Sequence, residues 1–167
     1  MNLNLEDKLD STKSFALSAG EILMNHFGNL KRVKNKSRVD LVSEADLASE
    51  NEIVKLISEK YPNHDILTEE QTFGNKGSAW QWVIDPLDGT TNYVHSLPIF
   101  AVSIGLKYKN RTILGIVYNP AKNELYHAIR GFGSFKNNNP IQVSKIKKLE
   151  NSLLVTGFPY EQNDEWE

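Results

Sequence analysis

Between residues 5 and 27, apolar side chains recur at Leu9, Ala16, Ala19, Leu23 and Phe27. Steps of three, four and seven gather them on one face of a helix, and Gly28 ends it. A second helical pattern runs from 43 to 61, with Leu47, Ile53, Val54, Leu56, Ile57 and Tyr61 as a broad apolar stripe. Ser43 stands at its N-cap position with the acidic Asp46 three residues on, and Pro62 closes it. Beyond Pro62 the period shortens. HDILT (64–68), WQWVID (80–85), FAVSIGLKY (100–108), TILGIVYN (112–119) and ELYHAI (124–129) are short β-branched and aromatic runs. KNRT (109–112), NPAKN (119–123) and KNNNPI (136–141) have the composition of hairpin connections, and SLLVTGF (152–158) predicts one more strand. Two N-terminal helices followed by strands with short links predict an α+β fold, the helices packed on a predominantly antiparallel β-sheet.

With 167 residues there is enough chain for one domain with a core. The net charge of −2, from 19 basic and 21 acidic residues, argues against a dedicated nucleic-acid binder. Lys31, Arg32, Lys34, Lys36 and Arg38 are a local exception, either a solvated loop or a phosphate-facing one. The absence of cysteine excludes disulfides, thiolate zinc sites and cysteine nucleophiles. MNLNLEDKLD has neither the basic start nor the apolar run of a secretory signal, and no apolar stretch is long enough to span a bilayer. A cytoplasmic protein without membrane partners is expected.

The candidate chemistry lies in WVIDPLDGTTN, residues 82–92, where Asp85 and Asp88 stand three apart at the end of a predicted strand. Proline cannot donate to a ladder, so the chain is expected to leave the sheet at Pro86. Gly89 permits a left-handed turn that folds Asp88 back beside Asp85. Two ionised carboxylates held together repel unless one keeps a proton or a cation lies between them. A hard divalent ion suits oxygen ligands, and Mg2+ is commonly held by one or two carboxylates plus substrate phosphate. The backbone amides of Gly89, Thr90 and Thr91 follow, opening a short helix suited to an anion. The competing reading is an Asx-type turn closing a hairpin.

Other acidic residues accompany the pair. Glu69 and Glu70 follow a short strand, and Asp40, Glu44 and Asp46 surround the start of the second helix. Taken singly, Asp46 reads as a capping residue and Glu69–Glu70 as a solvated loop. His26, His64, His95 and His127 lack metal-motif spacing and read as structural. RGFGSF (130–135) lacks a third glycine and a βαβ context, so it reads as a hairpin. Trp80 and Trp82 read as sheet packing.

In order along the chain, DLVSEAD (40–46), LTEE (67–70), WVIDPLDGTTNYVHSLPIFAVSIGL (82–106) and GIVYNPAKNELYHAIRGFGSFKNNNPIQVS (115–144) resemble the inositol monophosphatase family. The Asp-Pro-Leu-Asp-Gly-Thr-Thr element is the specific part. The resemblance implies a magnesium-dependent, lithium-sensitive phosphomonoesterase, homodimeric when intact, acting on a small phosphorylated polyol or sugar. Glu69 then resembles a ligand of a first metal that helps orient water, and Asp85 a ligand bridging two metals. The Leu87 carbonyl would add a backbone ligand. Asp88 would bind the second metal and a substrate hydroxyl. Thr90 would hydrogen-bond the attacking water, with Asp46 behind it, and Gly89, Thr90 and Thr91 would line the phosphate.

The resemblance also implies a layered αβαβα sugar-phosphatase fold, with residues 1–150 as its first, metal- and phosphate-binding part. The family continues with an α/β half carrying a Trp-Asp-x-Ala-Ala element, whereas here Trp166 is followed by Glu167. Residues 151–167 are therefore expected to begin that second domain, and the chain to be an N-terminal portion. Inositol monophosphate is the expected substrate. Fructose bisphosphate, a nucleotide 3′-phosphate and histidinol phosphate are alternatives within the class. A different class of function, a non-catalytic metal-binding or interaction module, stays open.

Overall fold

The computed structural model describes residues 4–29, 33–35, 41–68, 72–73 and 77–155, with backbone alone for 33–35, 41–43 and 72–73. Helix α1 spans Leu5–His26 and α2 spans Glu44–Lys60. Strands β1 (Val33–Asn35) and β2 (Leu41–Ser43) form a small antiparallel pair just before α2. The main sheet contains β3 (Asp65–Thr68), β4 (Thr72–Phe73), β5 (Trp80–Asp88), β6 (Ala101–Tyr108), β7 (Arg111–Asn119), β8 (Glu124–Ile129), β9 (Gly133–Lys136) and β10 (Asn139–Ile141). Its spatial order is β10-β9-β8-β7-β6-β5-β3-β4. Among the described residues, β3 and β5 pair in parallel and every other pair in the sheet is antiparallel. The short helix α3, Thr90–Val94, fills the connection between β5 and β6.

The predicted hairpins form for a local reason. Lys109 and Asn110 both take positive φ between the paired Tyr108 and Arg111, and Asn137 and Asn138 do so between Lys136 and Asn139. Two consecutive left-handed residues match the twist of the flanking strands, and asparagine tolerates that backbone better than most residues. RGFGSF is the β8–β9 turn, as expected.

Alternation along the strands decides which face is covered. Trp82, Ile84, Val102, Ile104, Leu106, Leu114 and Ile116 are buried on one face, in a core that includes Phe15, Ala19 and Leu23 of α1 and Ile53 and Ile57 of α2. Each such aliphatic side chain contributes about 1.5–3 kcal/mol on burial. Val83, Gly105 and Val117 lie on the other face, where Val117 remains 44% exposed. Gly20 lets α1 approach the sheet closely, since a Cβ there would meet the Tyr118 ring at 2.5 Å.

Three expectations change. Leu47 is exposed and lies outside the α2 stripe, whose inward positions include the small polar Ser49. The described part of SLLVTGF, residues 152–155, is not a strand, and Leu153 and Val155 are exposed. Apolar β-branched composition alone does not make a strand without a partner for its ladder. The chain also does not leave the sheet at Pro86, because β5 continues to Asp88.

Candidate metal and phosphate site

The site grows from an irregularity in β5. Asp85 pairs with Ser103 of β6, and Asp88 pairs with Ala101. Between these pairs β5 carries Pro86 and Leu87 against the single Val102, which is a β-bulge. A bulge leaves one residue unpaired, so it accommodates proline's missing N–H inside an otherwise continuous strand. That is why the proline marks the site without ending the strand.

Side chains satisfy the polar groups that the bulge removes from the ladder. The Leu87 N–H donates to Asp85 Oδ1 at 3.2 Å, the Asx-type contact expected as the competing reading. The Thr90 hydroxyl lies 3.0 Å from the Leu87 carbonyl and 3.5 Å from Asp46 Oδ2. The Ser49 hydroxyl donates to the buried Pro86 carbonyl at 3.0 Å. Asp46 and Ser49 are three residues apart on α2 and therefore share a helix face. One helix thus reaches the acidic segment at two points, directly at Pro86 and through Thr90 at Leu87.

Gly89 is the N-cap of α3, with φ of +87°. The Tyr93 N–H donates to the Gly89 carbonyl at 3.0 Å, closing the first turn. A Cβ on Gly89 would stand 2.9 Å from the Ile99 carbonyl oxygen, so the backbone passes here only because there is no side chain. Behind α3, Tyr93 is fully buried and its hydroxyl donates to the Leu23 carbonyl. Burial, and then the charges of Asp46 and Glu44, push the Tyr93 phenol above its ordinary value. Asp46, itself only 7% exposed, therefore lies close enough to Tyr93 for its charge to be felt there.

The expected site residues fall out as follows. Asp46, Leu87 and Thr90 are joined through the Thr90 hydroxyl, and Asp85 is joined to Leu87 through its amide. Asp88 is exposed at the end of β5, and Thr91 is exposed in the first turn of α3. Glu69, Glu70, Asp40 and most of the basic cluster lie outside the described residues. Among the described residues, no three or more His, Asp or Glu side chains gather to hold a metal ion. The expected metal ligands among the described residues, the Asp85 and Asp88 carboxylates and the Leu87 carbonyl, are all oxygen and fit a hard cation such as Mg2+. Asp85 also lines a shallow concavity of about 430 Å³ on the open face of the sheet, with Thr68, Ser103 and Lys107. Ser49 was missed in the sequence, although its spacing from Asp46 placed it on the same helical face.

The chain belongs to the inositol monophosphatase family, whose model matches residues 5–167. It is 41% identical over 161 residues to an inositol-1-monophosphatase from Synechocystis sp., covering 95% of this chain and 56% of that protein. It is 41% identical over 150 residues to the Nus factor SuhB of Haemophilus influenzae, covering 88% of this chain and 56% of that protein. Among solved structures, the inositol monophosphatase from Anabaena (Nostoc) sp. superposes with a TM-score of 0.82 at 39% identity, over 94% of this chain and 57% of that one. The chain therefore spans little more than half the length of the relatives it matches. Among the described residues, no helix is long and apolar enough to cross a membrane.

Proposed function

We propose that this chain supplies the metal- and phosphate-binding part of a Mg2+-dependent phosphomonoesterase, with inositol monophosphate as first substrate. The observation that carries the proposal is the β5 bulge, which ties Asp85, Leu87 and Thr90 into one hydrogen-bonded turn, with Asp88 two residues before Thr90. Glu69, Asp85, the Leu87 carbonyl and Asp88 would hold Mg2+, which when bound lowers the pKa of water and stabilises charge on the phosphoryl group. Thr90 positions the attacking water: its hydroxyl proton goes to the Leu87 carbonyl at 3.0 Å, so its oxygen can accept from that water, with Asp46 behind it. The water oxygen forms a bond to phosphorus in line as the ester P–O bond breaks; the water gives up one proton, and the leaving alkoxide takes up one, so the ester becomes an alcohol and inorganic phosphate. The Gly89, Thr90 and Thr91 amides would face the phosphate oxygens, adding donors where charge develops. Lithium sensitivity, a homodimer and a cytoplasmic location belong to the same proposal.

The test is phosphate release from inositol monophosphate, with and without Mg2+, by a full-length enzyme carrying this part and by its Asp85→Asn variant; the 167-residue chain alone is expected to turn over weakly or not at all. Replacing the Asp85 carboxylate by a neutral amide is expected to lower kcat/KM by at least about 100-fold, with little change in folding. Undiminished Mg2+-dependent turnover in the variant would count against the assignment. The Haemophilus influenzae relative's name favours a second reading, a regulatory or interaction role that needs no turnover. The two readings part on the same variant, which should abolish the first role and leave the second intact.

A further inference from the structure

Among the described residues, Asp85 and Thr90, both already placed in the proposed site, hold the Leu87 amide and carbonyl of the β5 bulge. A further bond comes from Ser49, whose hydroxyl donates to the Pro86 carbonyl at 3.0 Å. Ser49 is fully buried in the middle of α2, and Pro86 is buried in the bulge between the two aspartates. A serine in a helix interior is neutral to unfavourable by propensity, since its hydroxyl competes for backbone partners. Here the hydroxyl reaches across to another element, 37 residues away in sequence.

The Pro86 carbonyl belongs to the peptide that joins Pro86 to Leu87. Peptide units are planar, so fixing that carbonyl also fixes the Leu87 N–H on the same plane. That N–H is the group that donates to Asp85 Oδ1. Ser49 therefore sets the tilt of one peptide plane, and that plane sets where the Asp85 carboxylate is held. Without the hydroxyl, the buried carbonyl would have to turn toward another donor, carrying the Leu87 amide with it.

We propose that Ser49 is a positioning residue for the cation site, holding the Pro86–Leu87 peptide so that Asp85 is presented in its binding orientation. This rests on the proposed function. The test is a Mg2+ titration of the 167-residue chain, followed by NMR through the backbone amide signal of Gly89, well below the melting temperature. Ser49→Ala is expected to weaken Mg2+ binding at least about 5-fold, an order-of-magnitude figure for a displaced ligand held through a second contact. Ser49→Thr, which keeps the hydroxyl, should restore the affinity to within about twofold of wild type. A purely structural role would lower the melting temperature of Ser49→Ala and leave its Mg2+ affinity unchanged, which overturns the inference. Equal weakening in the Ala and Thr variants overturns it too, because the hydroxyl would then not be the cause. If Asp85→Asn abolishes binding while Ser49→Ala does not alter it, the inference alone fails. A wild-type chain whose Gly89 signal never responds to Mg2+ would overturn the proposed function and this inference with it.

Discussion

Gly89 shows how one residue type can be dictated from two directions. Its φ of +87° lies in a region where an L side chain costs about 1–2 kcal/mol. Its missing Cβ is also the space through which the Ile99 carbonyl passes. That carbonyl cannot easily give way, because it accepts a bond from Asn92 Nδ2 at 2.8 Å. Gly89→Ala should therefore destabilise the chain by about 2–3 kcal/mol, the strain and the steric contact acting together. Urea unfolding measures it, and a midpoint within error of wild type would show that the backbone relaxes freely. The left-handed turn was legible in the sequence from Gly89 itself. The close approach of Ile99 was not, since it depends on where residues 95–100 return after α3.

At the scale of elements, the helices and the strands β3 and β5 to β8 were legible because their signals are local, whereas the short β1, β2, β4, β9 and β10 were not. The periodicity of residues 5–27 and 43–61 yields α1 and α2 to within about a residue at each end. Pro86 was misjudged because a bulge is a property of two strands, and only the β6 register leaves room for the extra residue. The packing of α1 on β7 was hidden for a similar reason. Gly20 costs a helix interior about 1 kcal/mol relative to alanine, yet it allows the approach to Tyr118 and Pro120. Gly20→Ala is accordingly expected to lose about 1 kcal/mol net, overpacking outweighing the gain in propensity. Introduced into a Tyr118→Leu background, the same substitution should become neutral or stabilising. Thermal or urea melts of the four proteins in this cycle decide it, and a stabilising Gly20→Ala in the wild-type background would show that the ring moves aside at little cost.

For the molecule as a whole, the candidate chemistry was legible as a motif but not as a geometry. The Asp85–Thr91 segment announces itself, whereas its attachment to α2 through Ser49 and Asp46 arises only when the fold brings residues about 40 apart together. The same long-range assembly sets the protein's response to acid. His64 stacks between Tyr61 and Trp80, with ring centroids 4.9 and 5.3 Å away. Its Nδ1 accepts the Trp82 indole N–H at 3.1 Å, which leaves the ring proton on Nε2. Protonating Nδ1 would set two donors against each other. Burial first, and then the Lys8 charge, lower the His64 pKa to about 4, against a smaller opposing effect of Asp65. His127, buried in β8 with no partner for Nδ1 among the described residues, is also lowered by burial and then by Lys13. A depressed folded-state pKa means that the unfolded chain takes up the proton first. The His64 contribution is thus fully present above about pH 6.5 and is lost as the pH falls toward about 4. Partial exposure of the ring reduces the full linkage to roughly 2 kcal/mol. His64→Gln keeps an acceptor for Trp82 but cannot titrate, so between pH 7.5 and 4.5 its stability should fall by about 1–2 kcal/mol less than that of wild type. Urea unfolding at both pH values isolates the effect from the carboxylates, which titrate alike in the two proteins, and parallel losses would show that His64 carries none of the acid sensitivity.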